Sequence, residues 1–153
     1  MAAYFRVTTL DSARGNVIVK PARWDEHLVL GFEALDREHH LQIELVHELL
    51  DATERHDWGR AHELLDRLVD ATSVHFMGEE ILMRERAYPG YQAHVKEHNE
   101  LMSRVTRLRV ALENAKSGSS LVLIDEIRDW LSGHIDSMDR PFGRFLAEAP
   151  KSA

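Results

Sequence analysis

Residues 61–82 read AHELLDRLVDATSVHFMGEEIL, and apolar or small side chains recur in this stretch every third or fourth position. This spacing places them on one face of an α-helix, which has about 3.6 residues per turn. The same face carries His75 and Glu79, which are four residues apart and therefore lie one above the other. The stretch predicts a long amphipathic helix, over about 58–86, that directs a histidine and a carboxylate inward.

The chain before this helix falls into two parts. Residues 1–23 have no helical periodicity, and the stretch 17–19, VIV, predicts a short extended segment that stops at Pro21. We therefore expect an N-terminal arm over residues 1–23, followed by one domain over residues 24–149. The first long helix of that domain is predicted to begin near Asp36, a candidate N-cap, to reach about residue 56, and to carry His39 on its apolar face.

Two more helices follow two breaks in the pattern. The stretch 88–90, YPG, interrupts the periodicity, and Pro89 suits the first turn of a helix that runs to about residue 115 and carries His94 and His98. The stretch 116–120, KSGSS, is typical of a turn whose serines cap the next helix. That helix directs His134 inward, and Pro141 is expected to end or kink it. Together these patterns predict an all-α, up-down-up-down four-helix bundle.

Such a bundle brings the candidate ligands to one level. His39 stands about 17 residues before the first turn and His75 about 17 residues after it, so both lie roughly 25 Å from that turn. His94 and His98 precede the second turn by about 20 residues, and His134 follows it by about 15. All four helices are therefore expected to deliver metal-binding side chains to one buried place.

The donor types predict a pair of redox metal ions. The chain has no cysteine, so a metal must be bound through nitrogen and oxygen. Imidazole with carboxylate suits iron, whereas calcium or magnesium favours oxygen ligands alone. Five histidines, two bridging carboxylates and one bridging oxide or hydroxide supply one bond fewer than two six-coordinate ions need, which leaves room for a diatomic such as O2. One of the carboxylates, Asp139, follows His134 by five residues and is expected to lean away from it towards the second ion.

Composition argues against several other classes of protein. The net charge of −7 comes with interspersed lysines and arginines, so the sequence offers no basic stripe for nucleic acid or for an anionic membrane. The N-terminus lacks a basic start followed by an apolar run, and no stretch approaches the roughly 18 apolar residues of a membrane span. We therefore expect neither a signal peptide nor a membrane span, and a cytoplasmic location.

Several stretches between about residues 24 and 140 match a known family. They are Trp24-Asp25, residues 36–39 (DREH), residues 75–80 (HFMGEE) with Met83, Tyr88-Pro89 with His94 and His98, and residues 130–135 (WLSGHI) with Asp139. In residue type, order and spacing the chain resembles the hemerythrins, specifically the single-domain bacterial hemerythrins.

The resemblance implies a non-haem, oxo- or hydroxo-bridged di-iron centre in a four-helix bundle that binds O2 reversibly as a carrier, store or sensor and not as an enzyme. One iron would be held by three histidines and the other by two, with two carboxylates bridging both. In this numbering the three are His94, His98 and His134, the two are His39 and His75, and the bridges are Glu79 and Asp139. The iron held by two histidines would bind O2.

The O2 pocket implied by the resemblance has an apolar wall and one departure from the family. Leu131, one turn before His134, and Ile43 would exclude water and protons from it. The family usually has leucine and asparagine where this chain has Gln42 and His47. Gln42 lies within about 60° of the His39 direction, so its amide is expected either beside the pocket or paired with the backbone or another helix.

Two alternative functions are possible at such a centre, of which one stays open and the other is disfavoured. An enzyme that acts on peroxide or nitric oxide could use the same centre, because an open iron site also activates what it binds. A ferritin-like di-iron oxidase is disfavoured, since it needs two Glu-x-x-His motifs and only residues 44–47, ELVH, fit. The sequence leaves open the oligomeric state and the protein partner that would receive oxygen or a signal.

Overall fold

The computed structural model describes residues 8–10, 17–19 and 26–148. Its main helices are α1 (Glu33–Glu54), α2 (Trp58–Glu85), α3 (Tyr91–Glu113) and α4 (Ser117–His134). A 3-10 turn, Glu26–Leu28, precedes α1, and α4 continues through a π-helical turn, Ile135–Asp139, into α5 (Arg140–Glu148). Helices α1 and α3 each pack against both α2 and α4, so consecutive helices are neighbours in a ring. The predicted up-down-up-down bundle is confirmed.

Two short strands lie near the N-terminus. Strand β1 (Thr8–Leu10) pairs antiparallel with strand β2 (Val17–Val19), and Thr8 is opposite Val19. The extended conformation predicted for residues 17–19 is therefore confirmed, within a two-stranded ribbon. The remainder of the expected arm, with Pro21, lies outside the described residues, and so do Trp24-Asp25 at the start of the expected domain. The division of the chain into residues 1–23 and 24–149 stays a prediction.

Asp36 organises the start of α1, although it is not the N-cap. The helix begins three residues earlier than predicted, with Phe32 at the N-cap position and no side-chain cap. The Asp36 carboxylate instead accepts the backbone N–H groups of Leu30 at 2.7 Å and Gly31 at 3.0 Å. Gly31 has φ of +88°, a conformation that glycine adopts without strain. Asp36 thereby fixes the direction in which the chain enters the bundle.

The ends of the helices differ from those predicted at the α2–α3 and α3–α4 turns. Pro89 precedes the N-cap Gly90, and α3 begins only at Tyr91, so the prediction that Pro89 lies in the first turn of this helix is wrong. Residues 117–120, predicted as a turn, form the first turn of α4, and the N–H of Ser120 donates to the carbonyl of Lys116 at 2.9 Å. Ala115, with φ of +49°, reverses the chain instead. The predicted serine N-cap is wrong, because a left-handed residue just after α3 already completes the turn.

The apolar core fills the half of the bundle away from the candidate ligands. Its fully buried members come from all four helices and include Leu49, Leu65, Leu108, Leu112 and Ile124. These residues lie closer to the α1–α2 and α3–α4 turns than the histidines do. In the part of the chain that the structure describes, no helix has the length and apolar character needed to cross a membrane.

Candidate metal centre

Two histidines meet where α1 and α2 run side by side. His39 of α1 and His75 of α2 are 0% and 2% exposed, and their Nε2 atoms lie 3.1 Å apart. They reach one level because each lies about 17 residues from the turn that joins the two helices. The two histidines thus lie at the same depth in the bundle, as the rise per residue of an α-helix predicts.

Three more histidines come from α3 and α4 at the same end of the bundle. His94, His98 and His134 are at most 3% exposed. The Nε2 atoms of His94 and His134 lie 3.1 Å apart, and the rings of His94 and His98 have centroids 4.6 Å apart. The histidines that the sequence singles out as ligands thus lie buried in one place.

Glu79 lies between the two groups of histidines. Its Oε2 atom is 3.6 Å from Nε2 of His75, 3.4 Å from Nε2 of His94 and 3.3 Å from Nε2 of His98. The side chain is fully buried and comes from α2, one turn after His75. A single carboxylate therefore faces three histidines, one on α2 and two on α3, as a bridging ligand would.

Asp139 also faces both groups. Its Oδ2 atom lies 3.0 Å from Nε2 of His39, while its Oδ1 atom lies 2.9 Å from Nε2 of His94 and 3.1 Å from Nε2 of His134. The residue is 0% exposed. One oxygen is directed to the α1 side of the site and the other to the α3–α4 side.

Asp139 reaches the site through the π-helical turn. In an α-helix, a residue five positions on would point about 140° away, and the sequence accordingly predicts that Asp139 leans away from His134. The expected lean away from His134 is wrong, because i→i+5 hydrogen bonds widen the turn and bring residues five apart onto one face. The other oxygen nevertheless faces His39 of the second ligand group. Pro141 lacks the N–H that would bond the carbonyl of Ser137, which favours a break in the α-helix here. The helix then resumes as α5 without ending.

These side chains form two ligand groups that share one carboxylate. The groups are Glu79 with His94, His98 and His134, and Glu79 with His39, His75 and Asp139, and within each group the ligand atoms lie within 4.8 Å of one another. Metal–imidazole bonds of about 2.1 Å at right angles would separate two nitrogens by about 3 Å. The two Nε2–Nε2 distances of 3.1 Å match that separation.

Unsatisfied buried atoms provide a second test of whether a metal fits. Within residues 26–148, the two oxygens of Glu79, the two oxygens of Asp139 and Nε2 of His98 are buried and have no hydrogen-bond partner. Buried polar atoms are normally paired, because leaving water without a partner costs free energy. Their close approach without hydrogen-bond geometry suits atoms that are directed at a common cation.

Two further carboxylates fix the orientation of two of the histidines. Nδ1 of His75 donates to Oε2 of Glu38 at 2.8 Å, and Nδ1 of His98 donates to Oε1 of Glu80 at 3.0 Å. A carboxylate can only accept, so each bond places the proton on Nδ1 and leaves the Nε2 lone pair for a metal. Sequence reasoning gave these glutamates no role, although each adjoins a candidate ligand in sequence.

Aromatic rings stack on two of the histidines. The Phe76 ring stacks on His98 with centroids 3.6 Å apart and planes inclined by 9°. Trp130 stacks on His134 at 4.5 Å and 14°. These contacts limit ring rotation, so His98 is held by both a hydrogen bond and a stacked ring.

The electrostatics of the two carboxylates favour their ionised forms. Burial and the charge of Asp139 raise the pKa of Glu79, but the contacts with His94 and His98 outweigh them and lower this pKa to about 2. Burial likewise raises the pKa of Asp139, but His134, His39 and His94 hold it well below its usual range. Both groups are therefore anionic at neutral pH, as metal ligands must be.

The surroundings shift the pKa values of three metal-free histidines in different directions. Burial lowers the pKa of His94, but Asp139 and Glu79 raise it to about 9. Burial also lowers the pKa of His75, which the hydrogen bond to Glu38 and the nearby carboxylates raise above its ordinary value. For His134, burial dominates and lowers the pKa. Some of these imidazoles must lose a proton before they can bind a metal.

The residues expected to line an O2 pocket come from the turns of α1 and α4 that adjoin His39 and His134. Ile43 and Leu131 are buried and belong to one apolar cluster with Ile135. Gln42, next to Ile43, is 0% exposed. The pairing of its amide with backbone or another helix is not found among the described residues. Its membership of a ligand pocket stays a prediction.

Histidines outside the cluster lie nearer the surface. His40, which follows His39, has a side chain 45% exposed and pairs with Glu44 at 3.0 Å. His56 is exposed and stacks on Trp58 with ring centroids 5.5 Å apart. His47, at the second departure noted above, is half-buried. The buried groups that can hold a metal in the described part of the chain do not include these residues.

Comparison with known proteins identifies the family. The family model described as the hemerythrin HHE cation-binding domain matches residues 30–146. This chain belongs to the hemerythrin family. Among the hemerythrins it resembles, the bacteriohemerythrin of Stenotrophomonas maltophilia is 31% identical over 123 residues, covering 78% of this chain and 77% of that protein. The myohemerythrin of Sipunculus nudus is 30% identical over 125 residues, covering 82% and 93%.

A solved hemerythrin structure has the same fold. The crystal structure of a wild-type hemerythrin superposes with a TM-score of 0.66 at 25% identity, and the match covers 75% of this chain and 88% of that one. The hemerythrin family predicted from the sequence motifs is thereby confirmed, and so is the four-helix bundle.

Proposed function

We propose that this hemerythrin-family protein binds O2 reversibly at a non-haem di-iron centre, as an oxygen carrier, store or sensor. The observation that carries the proposal is the pair of fully buried ligand groups that share Glu79. Two groups with one common carboxylate suit two adjacent metal ions, and nitrogen with oxygen donors suits iron. The names of the similar proteins, bacteriohemerythrin and myohemerythrin, agree with this assignment.

The ligand assignment follows the two groups. His94, His98 and His134 would hold one ion, and His39 and His75 would hold the other. Glu79 and Asp139 would bridge, because each faces histidines of both groups. With one histidine fewer, an ion held by His39 and His75 would keep a coordination position for an external ligand.

The protein's own side chains give this centre its properties. Bound iron would supply a metal that exchanges electrons with O2. Glu38 and Glu80 orient His75 and His98 through their Nδ1 atoms. The buried cluster of Ile43, Leu131 and Ile135 excludes water and protons, which promote irreversible oxidation of the iron.

The apolar character of the cluster around Ile43 and Leu131 favours reversible binding over enzymatic turnover. Turnover of peroxide or nitric oxide benefits from a proton donor close to the open position. The cluster of Ile43, Leu131 and Ile135 is apolar, with Leu28, Leu30 and Trp130 packed against it. The amide of Gln42 is a poor acid. An enzyme acting on peroxide or nitric oxide remains the second candidate, since the same iron ligands would serve both.

Iron counting combined with absorbance under cycles of O2 and vacuum tests the proposal. We expect two irons per chain and a ligand-to-iron charge-transfer band that appears with O2 and disappears under vacuum. His39→Ala should lose the band, and His62→Ala, a half-buried histidine elsewhere on α2, should keep it. Irreversible bleaching with consumption of peroxide would support the enzyme, and one zinc in place of iron would indicate a structural site.

The location and partners remain predictions. The cytoplasmic location, the absence of nucleic-acid and membrane partners, and the identity of a protein that accepts oxygen or a signal rest on the sequence. The iron experiment does not depend on them.

A further inference from the structure

Gln42 is a buried polar side chain that the metal ligands leave unexplained. It is 0% exposed, and neither its Oε1 nor its Nε2 atom has a hydrogen-bond partner within residues 26–148. Folding removes this carboxamide from water, which costs free energy unless another group takes the place of the water. Leucine or methionine would fill a similar volume without that cost. The amide therefore calls for a partner that is not one of the described residues.

The position of Gln42 on α1 brings its amide towards the level of His39. Gln42 follows His39 by three residues, so the two side chains diverge by about 60° around the helix axis. Helical side chains lean towards the N-terminus of their helix. The N-terminus of α1 is the end that carries His39, so the long Gln42 side chain leans back towards the ligand cluster.

The contacts of its neighbours define which flank of His39 it occupies. Ile43 packs against Leu131 and so lies on the flank that faces α4. Glu38 contacts His75 and so lies on the flank that faces α2. Gln42 lies on the same flank as Glu38, about 40° from it around the helix. Gln42 therefore leaves α1 on the flank of His39 that faces His75.

We propose that the Gln42 carboxamide donates a hydrogen bond to the small ligand bound at the His39–His75 half of the site and thereby strengthens its binding. The inference rests on the proposed function and adds a residue that sets affinity for the ligand. The ligands concerned are diatomic molecules or small anions with an atom that accepts a hydrogen bond, such as O2 or azide. The N–H of an amide supplies the donor without supplying a transferable proton.

Azide binding to the iron-loaded full chain tests the proposal. Azide is titrated by absorbance in the parent, in Gln42→Leu and in Gln42→Met, with iron per chain counted in each. Loss of one hydrogen bond should weaken azide binding about two- to tenfold in both variants. The infrared stretching frequency of bound azide should shift as well, which a merely structural role of Gln42 would not cause.

Ser120→Ala is the matched control. Ser120 is also 0% exposed, and its Oγ has no hydrogen-bond partner in the described part of the chain. It lies in the first turn of α4, at the opposite end of the bundle. Its replacement should leave both the azide affinity and the azide frequency unchanged.

The outcomes separate this inference from the proposed function. A parent that takes up no iron overturns both. A parent with two irons whose folded Gln42 variants bind azide as tightly, at the same infrared frequency, overturns the role of Gln42 alone. If both apolar variants fail to fold, Gln42→Asn replaces them, since it withdraws the amide by one methylene. Weaker azide binding with a shifted infrared frequency in Gln42→Asn would then support the proposal, and unchanged affinity and frequency would overturn it.

Discussion

Nε2 of His134 lies 3.1 Å from Oδ1 of Asp139 although five residues separate them along the chain. The π-helical turn makes this contact possible, and it leaves Oδ2 of the same carboxylate 3.0 Å from His39 on the neighbouring helix α1. Irregular turns of this kind are frequent at functional sites. Here the turn places one carboxylate between both ligand groups.

Asp139→Asn should lower the iron content from two ions per chain towards one. The amide keeps the shape of the side chain but removes the negative charge, so it is a poor bridge between two cations. Iron per chain after loading and desalting is the measurement. Asp136→Asn changes an exposed residue of the same turn, paired with Arg140 at 2.9 Å, and should retain two irons. Equal iron content in both variants would refute the bridging role.

Glu38→Gln should weaken metal binding about ten- to a hundredfold. The amide is a weaker acceptor for Nδ1–H of His75, and it no longer fixes which nitrogen carries the proton. Competition with a chelator measures the change. Glu44→Gln removes the carboxylate from an exposed pair with His40 on the same helix, so it serves as the control.

Glu80→Gln should have a smaller effect than Glu38→Gln. His98 loses its hydrogen bond to Glu80, yet the ring remains stacked on Phe76. The same chelator competition ranks the two variants. A larger loss of affinity in Glu80→Gln would contradict the idea that the stacked ring shares in fixing His98.

Leu131→Ala should speed oxidation of the reduced, iron-loaded protein. The substitution opens a cavity in the cluster that Leu131 forms with Ile43 and Ile135, and water then reaches the site more easily. It should also cost about 2–5 kcal/mol of stability. Leu65→Ala, in the apolar core away from the site, should cost a similar amount while leaving the oxidation rate unchanged. Equal oxidation rates would show that Leu131 does not seal the pocket.

The stability of the metal-free protein should fall as the pH rises from about 6.5 to about 9. The pKa of His94 is raised from 6.5 to about 9, so its contribution is complete below pH 6.5 and is lost as the pH rises through 9. The loss should be on the order of a few kcal/mol. Denaturant unfolding of the parent and of His94→Gln measures it, and parallel curves across this window would contradict the assignment.

Glu79 should have the opposite dependence at acid pH. Its pKa falls from 4.5 to about 2, so its contribution is present above pH 4.5 and is lost as the pH falls through 2. For these two groups alone, the metal-free protein is most stable between pH 4.5 and 6.5. Unfolding of Glu79→Gln should depend less on pH between 2 and 4.5 than unfolding of the parent.

The level of the site was predictable from the sequence because the rise of an α-helix is nearly constant. Distances counted along the chain from the turns therefore convert directly into depth, as His39 and His75 illustrate. The helix ends were less predictable. Residues 117–120 have the composition of a turn, but only the conformation of Ala115 decides that they belong to α4.

The residues around the ligands were not predictable for a different reason. Glu38 adjoins His39 but points about 100° away on α1, so it has the pattern of a surface acid. Its role depends on His75, which another helix supplies. A spacing of five between His134 and Asp139 likewise fits either an α-helix that points elsewhere or a π turn, and Pro141 was the one local sign of an irregularity.

Four carboxylates surround the five imidazoles, two buried (Glu79 and Asp139) and two at the edge (Glu38 and Glu80). Their four formal negative charges equal the charge of two divalent cations, and the oxide or hydroxide expected between the ions would add negative charge of its own. In the metal-free protein, Glu79 and Asp139 instead raise the pKa of His94 to about 9, so a proton on this imidazole offsets part of their charge. Metal uptake by this bundle would consequently be an exchange of protons for ions.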